Sequence, residues 1–160
     1  TINGVSKAYA MTGWRIGYCG GPKKIISAMK KIQGQSTSNA SSISQAAAVA
    51  ALNGSHQPVH SMAEEYAKRH TFIFKALNNI QGFKTLAATG AFYTFPEVTE
   101  VIDNLNLSDD VELSDYLLDS AHVAVVPGSA FGTKGHIRLS FATSMELLKE
   151  AVNRIQQALK

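Results

Sequence analysis

The 160-residue sequence has one cysteine, Cys19, so it forms no internal disulfide and no cysteine-rich zinc site. A reducing, cytoplasmic setting is the matching expectation. Long apolar runs are missing too. The longest, residues 46–52, is seven residues and mostly alanine, far below the ~18–20 that a membrane span needs. No signal-peptide pattern is present. Charge of one sign is scarce: 15 basic against 12 acidic residues give a net +3. A nucleic-acid binder concentrates Lys and Arg on one face. The nearest approach to that, Lys23, Lys24, Lys30 and Lys31, reads as the solvated side of a helix. The five histidines, His56, His60, His70, His122 and His136, show no metal-ligand spacing. Nucleic acid, membrane and metal are therefore not expected partners. An initiator methionine is also lacking, and part of the machinery is expected upstream of Thr1.

What is there is globular. A 45% hydrophobic content excludes a disordered chain, and the length is that of one ordinary domain. Residues 16–19 are short and apolar before Gly20-Gly21-Pro22, which predicts a brief buried strand and a turn. Residues 23–33 repeat Ile25, Ile26, Met29 and Ile32 at helical spacing, with the lysines opposite. Residues 33–44 are small and polar, a loop in which Ser42 or Ser44 caps the next helix. That helix, residues 45–52, stops at Asn53-Gly54. Pro58 starts a longer helix, with apolar positions from Val59 to Leu77 and an end near Asn78-Asn79. The first half, with one short strand, cannot build a sheet alone.

The second half changes character. Residues 83–86 and 91–95 predict short strands, and residues 113–122 a helix. Residues 123–126 are a continuous apolar run before Pro127-Gly128, as in a buried strand. Residues 136–142 alternate. Residues 144–159 predict a helix capped by Ser144, with Leu147, Leu148, Ala151, Ile155 and Leu159 as its apolar stripe. The fold class expected is α/β.

The chemistry-bearing residues stand early. Lys7 lies among small and apolar neighbours in Ser6-Lys7-Ala8-Tyr9-Ala10-Met11. Burial disfavours the ammonium form, and a neutral amine attacks carbonyls. On its residues alone Lys7 is either such an amine or a surface lysine. Arg15 follows between Gly13 and Gly17. A planar guanidinium suits bidentate contact with phosphate, and glycines let backbone approach a ligand closely. The alternative is a structural ion pair. Arg138 sits opposite Ile137, Leu139 and Phe141 in an alternating strand. It is either a carboxylate grip or an ordinary half-exposed arginine. Tyr9, Trp14 and Tyr18 read as packing residues. Phe92, Tyr93 and Phe131 read as core or as cleft lining, and Cys19 as a small buried hydrophobe.

The run Ser6-Lys7-Ala8-Tyr9-Ala10-Met11-Thr12-Gly13-Trp14-Arg15-Ile16-Gly17-Tyr18 resembles the lysine segment of class I aminotransferases, pyridoxal-phosphate enzymes of the aspartate aminotransferase superfamily. Gly90-Ala91-Phe92-Tyr93-Thr94-Phe95-Pro96 resembles that family's small-domain strand. Val125-Val126-Pro127-Gly128-Ser129-Ala130-Phe131-Gly132 and His136-Ile137-Arg138-Leu139-Ser140-Phe141-Ala142 resemble its carboxylate-binding region. The order of motifs is that of the C-terminal part of a fold-type I enzyme. The resemblance implies residues 1–57 as the end of a large cofactor-binding domain, 58–80 as a connecting helix and 81–160 as a small α/β domain. It implies Lys7 as the catalytic residue, holding pyridoxal 5′-phosphate as a Schiff base and moving the substrate α-proton. It implies Arg15 on the cofactor phosphate and Arg138 on the substrate α-carboxylate. It further implies a homodimer exchanging an amino group between an amino acid, aspartate first, and a 2-oxo acid by a ping-pong route.

The sequence also departs from the pattern. Gly4 stands where some branches carry a phosphate-contacting serine. Gln33, Gly34 and Gln35 stand near where one aspartate-specific branch carries an arginine for the distal carboxylate. No acidic partner for the pyridine nitrogen can be assigned in residues 1–6. Two alternatives stay open: another pyridoxal-phosphate reaction on the same fold (decarboxylation, elimination or aminocyclopropane-carboxylate synthesis), or a folded subdomain that is inactive alone.

Overall fold

The structure, a computed structural model, describes all 160 residues. The chain divides into two compact units, Thr1–Met62 and Ala63–Lys160. No helix is long and apolar enough to cross a membrane.

The first unit opens with β1 (Ile2–Gly4), which pairs antiparallel with β2 (Gly17–Cys19). The sheet predicted to be out of reach of this half therefore exists, as a two-stranded ribbon. The strand at residues 16–19 is exposed rather than buried, and Cys19 is exposed with it. A lone pair of strands offers too little surface to cover either face. Tyr18 and Trp14 are likewise largely open, at 42% and 43% exposure, and so are not packing residues here.

The helix α1 (Lys23–Ser36) runs three residues beyond its predicted end. It is amphipathic as read, yet it buries no residue: Ile25, Met29 and Ile32 are exposed with the lysines. In α2 (Ser42–Asn53) the N-cap is Ser41, without a side-chain capping bond. Ser42 is already helical and Ser44 is buried, so neither takes the predicted cap. At the other end Gly54 has an ordinary negative φ. It is needed because a Cβ there would lie 2.8 Å from the Ala50 carbonyl oxygen. Val5, Ser44 and Ala48 are the buried side chains of this unit.

The helix α3 (Gln57–Asn78) takes Pro58 in its first turn and runs across the unit boundary. Its Ile73 and Leu77 enter the core of the second unit. Asn78 then closes the following loop. Its amide donates to the Thr85 carbonyl at 3.1 Å and accepts from the Thr85 N–H at 2.8 Å, as a strand neighbour would.

The second unit is a three-stranded antiparallel sheet in the order β3-β5-β4, with helices packed on one face. Its strands are shorter than predicted. β3 is Tyr93–Thr94, and residues 83–86 contribute only a bridge between Lys84 and Glu97. β4 is Val126–Pro127, half-buried at the sheet edge. The run 123–126 is not a buried strand: Val123, Val125 and Val126 are half-buried, Ala124 is exposed, and only Val126 belongs to the edge strand β4. β5 (Ile137–Ser140) is central, and Ile137, Leu139 and Phe141 point into the core as the alternation requires.

The short α4 (Thr99–Asn104) has no counterpart in the sequence reading. α5 (Asp110–Ala121) starts three residues before its predicted first turn. Asp109 caps it, accepting from the N–H groups of Val111 and Glu112, while Glu112 reaches back to the Ser108 N–H. α6 (Met145–Ala158) is capped by the Ser144 hydroxyl as predicted, and it buries Leu148, Val152 and Ile155. Leu147 is 55% exposed. Val152, four residues after Leu148, takes the place in the stripe expected of Leu147. Tyr116 on α5 donates to the Ala158 carbonyl at 2.5 Å and ties the two helices together.

Candidate functional site

The β1–β2 ribbon determines where Lys7 and Arg15 stand. Gly4 pairs with Gly17, so residues 5–16 form one loop at one end of the ladder. Lys7 is three residues past Gly4, and Arg15 is two residues before Gly17. Gly17 is required by the ladder itself: a Cβ there would come 3.1 Å from the Asn3 carbonyl oxygen. The close approach foreseen for this glycine is thus to β1 rather than to a ligand. A Cβ on Gly13 would meet nothing within 4 Å.

The loop is braced from within. Val5 is fully buried and accepts through its carbonyl from the Tyr9 N–H at 3.3 Å, while the Lys7 carbonyl accepts from Ala10 at 3.1 Å. The Thr12 hydroxyl donates to the Ser6 carbonyl at 3.0 Å. Tyr9 packs edge-on against His56, with ring centroids 6.4 Å apart. Arg15 itself is left-handed, at φ 51° and ψ 49°, a conformation that costs a residue with a Cβ on the order of 1–3 kcal/mol. The Thr12 carbonyl holds it there, accepting from the Arg15 backbone N–H at 3.3 Å and from Nη1 at 2.9 Å. Ala10 of the same loop is left-handed as well, at φ 53°, so the loop turns sharply at two non-glycine positions.

Lys7 and Arg15 are both exposed. Ala8 and Ala10 are exposed as well, so its neighbours in sequence do not bury Lys7.

Arg138 belongs to the second unit and is half-buried. Its backbone is held on both sides: β5 pairs with β3 through Tyr93↔Ser140 and with β4 through Val126↔Arg138. Period two puts Arg138 and Ser140 on the face away from the core, and Tyr93, opposite Ser140, lies on that same face. Diagonal cross-strand neighbours of this kind are within reach of long side chains. The guanidinium carbon is 5.0 Å from the Tyr93 ring centroid and 4.6 Å from that of Phe131. None of the three ion pairs of the structure involves Arg138. Two aromatic faces orient the fork without neutralising it, which leaves its donors available to an anion. Tyr93 and Phe131 are 38% and 49% exposed, so they line this position rather than the core. Phe92 is the partly buried member of the three and packs on the core.

One residue of this region escaped the sequence reading. Asp110 is fully buried. Its carboxylate accepts from the backbone N–H of Ser129 at 2.7 Å and of Gly135 at 3.2 Å. Burial alone pushes this carboxyl up, but the hydrogen bonds from Ser129 (backbone and side chain) and Gly135 outweigh it and hold the group below its ordinary value. In the sequence Asp110 looks like any first-turn acid, and only its partners 19 and 25 residues away distinguish it.

Comparison with known proteins gives the family and the fold. The family described as aminotransferase class I and II matches residues 1–155. An aspartate/prephenate aminotransferase of Nitrosomonas europaea is 55% identical over 99% of the chain, which covers 41% of that protein. The crystal structure of an aspartate aminotransferase from Rhizobium meliloti superposes with a TM-score of 0.91 at 48% identity, over 99% of this chain and 41% of that one. An aromatic aminotransferase from Pyrococcus horikoshii also superposes at 0.91, with 39% identity over 99% and 42%. The α/β fold class expected from the sequence is the one these structures share. The chain spans about 40% of the length of the curated relatives it matches.

Proposed function

The chain belongs to the class I and II aminotransferases, and from that membership we propose that it carries the reactive lysine and the carboxylate-binding arginine of a pyridoxal-phosphate-dependent transaminase. The observation that carries the reading is the β1–β2 loop, which presents one exposed amine and one exposed guanidinium from a single braced segment. That donor set fits pyridoxal 5′-phosphate, a small molecule bearing one aldehyde and one phosphate. When bound, the cofactor supplies the electron sink that allows an α-proton to leave.

The chain's own residues have distinct tasks in this reading. Lys7 would hold the cofactor covalently and, once the substrate amine had displaced it, its freed Nζ would accept the proton leaving the substrate α-carbon. Arg15 binds the phosphate, and its strained backbone with the Thr12 tether fixes the direction of the side chain. Arg138 grips the substrate α-carboxylate through two parallel N–H donors, which orients the α-carbon. The substrates are an amino acid, aspartate by the names of the relatives, and a 2-oxo acid such as 2-oxoglutarate, exchanged by a ping-pong route in a homodimer. A reducing, cytoplasmic setting suits the exposed Cys19 thiol. The residue ranges 1–57, 58–80 and 81–160 serve as the end of a large domain, a connecting helix and a small domain.

Full activity in this reading needs residues beyond these 160. The exposed stripe of α1 and the small buried set of the first unit favour this, since that unit leaves much of its apolar surface uncovered. The test is to incubate the full-length protein with cofactor, reduce with borohydride and map the label. Attachment at Lys7 is expected, and attachment at any other lysine overturns the assignment. Aspartate and 2-oxoglutarate should exchange their amino group with parallel-line kinetics, and a product without a transferred amino group would point to a different reaction. The isolated 160-residue chain should show no turnover.

A further inference from the structure

The connection between β4 and β5 is built around a single buried carboxylate. Gly128 opens a 3₁₀ turn, Gly128–Phe131, and Gly135 closes the loop before β5. Neither glycine tolerates a side chain. A Cβ on Gly128 would lie 2.4 Å from the Thr133 carbonyl oxygen, and Gly135 has φ +69° with Thr99 Oγ1 2.6 Å from where its Cβ would be. Backbone bonds cross the loop from Gly128 to His136 and from Thr133 to Gly128. Asp110, from the first turn of α5, is the side chain outside the loop that binds both of its ends: Oδ2 takes the Ser129 N–H and Oδ1 the Gly135 N–H. The last residue of the 3₁₀ turn is Phe131, whose ring lies 4.6 Å from the Arg138 guanidinium carbon.

We propose that Asp110 is a positioning residue for carboxylate recognition: it fixes the 128–135 turn, and the turn holds Phe131 against Arg138. The proposal rests on the reading of Arg138 as the substrate-carboxylate grip. A carboxylate suits the task because it offers an acceptor to each of two N–H groups at once, and charge-assisted bonds are the stronger kind. An amide of the same shape offers one acceptor, and its NH2 faces a second donor. The loop is then tied to α5 at one end only. Phe131 swings, and the guanidinium fork loses one wall while Lys7 and its loop are untouched in sequence.

The experiment compares Asp110→Asn with Asp109→Asn in the full-length holoenzyme. Asp109 caps the same helix and bonds only within it, and Asn keeps that cap, so the pair separates a charge lost at the start of the helix from one lost at the loop. Three readouts are taken: KM and kcat for both substrates, the dissociation constant of the dicarboxylate maleate, and amide hydrogen exchange of residues 128–135. For Asp110→Asn, KM and the maleate constant should both rise about tenfold with kcat within about twofold, an effect of the size of one lost cation–π wall. Exchange in the loop should speed up. Asp109→Asn should change none of the three in the loop or the site. Should Asp110→Asn fail to fold, Asp110→Glu keeps the charge but sets it one methylene too far, and the same split is expected. Faster loop exchange with unchanged KM and maleate affinity overturns the proposal, as does a fall in kcat alone. Arg138→Lys separates the two readings. If it weakens maleate binding while Asp110→Asn does not, the role of Asp110 is wrong. If it leaves maleate binding unchanged, the reading of Arg138 is wrong and the proposal falls with it.

Discussion

The guanidinium carbon of Arg138 lies 4.6 Å from the centroid of the Phe131 ring. The two residues sit at opposite ends of one short connection: one is on the central strand and the other at the end of a 3₁₀ turn. Together with Tyr93, whose ring centroid is 5.0 Å from the same carbon, the ring limits how the guanidinium plane can turn. Replacing the ring by an aliphatic side chain removes the attraction but keeps the bulk. Phe131→Leu should therefore raise KM for both substrates by about 3- to 10-fold, the range expected of a single cation–π contact. Its kcat should stay near the wild-type value. Steady-state kinetics with each substrate varied in turn checks this, and a fall in kcat at constant KM would contradict it.

On the proposed function, Lys7 and Arg15 share a loop but not a task. Lys7→Ala removes both the covalent anchor and the proton acceptor, so kcat should fall by at least about 10³-fold, as general-base losses do. Arg15→Ala removes only the phosphate contact. It should weaken cofactor binding by about 10- to 100-fold, the worth of a charge-assisted bond. Saturating cofactor should then restore most of the activity to Arg15→Ala and none to Lys7→Ala. Cofactor titration followed by absorbance distinguishes the two.

Asp110 makes a specific statement about acid. Its carboxyl is held below its ordinary value of 3.8 in the folded chain. A group of this kind stabilises the fold fully above the unfolded value, and its contribution is lost as pH falls toward and through the lower folded value. Wild type should thus exceed Asp110→Asn in stability by a constant margin from neutrality down to about pH 5. The margin should shrink steadily below about pH 4. Urea-unfolding midpoints across that range test the sign, and a margin that grows on acidification would refute it.

Adjacent leucines on α6 should behave in opposite ways. Leu148 is 3% exposed and Leu147 is 55% exposed. Leu148→Ala should cost about 2–5 kcal/mol, the usual cost of truncating a buried leucine. Leu147→Ala should stay within about 0.5 kcal/mol, as at an open surface. Chemical denaturation of both variants tests the pair, and equal losses would place both leucines in the core.

Local pattern alone determined much of this protein. The three- and four-residue spacing from Val59 to Leu77 specified α3, and Ser144 with the stripe behind it specified α6. Alternation around Arg138 specified which face of β5 is core. The lysine and arginine runs resemble a family's motifs in their residues and their order. These features are legible because a helix or a strand repeats its own period, whatever it packs against.

Burial was not legible in the same way, because it depends on partners far along the chain. The stripe of α1 has the same period as that of α6, yet Ile25, Met29 and Ile32 are exposed while Leu148, Val152 and Ile155 are buried. Lys7 has small apolar neighbours, yet it is exposed, since neighbours in sequence do not desolvate a side chain. Tyr93 and Phe131, apolar enough for the core, meet at Arg138 instead. Asp110 is the clearest case: two backbone groups 19 and 25 residues away turn an ordinary first-turn acid into a buried clamp. The sequence by itself determined the periods and the reactive types. The tertiary structure decided which of them are covered and which of them meet.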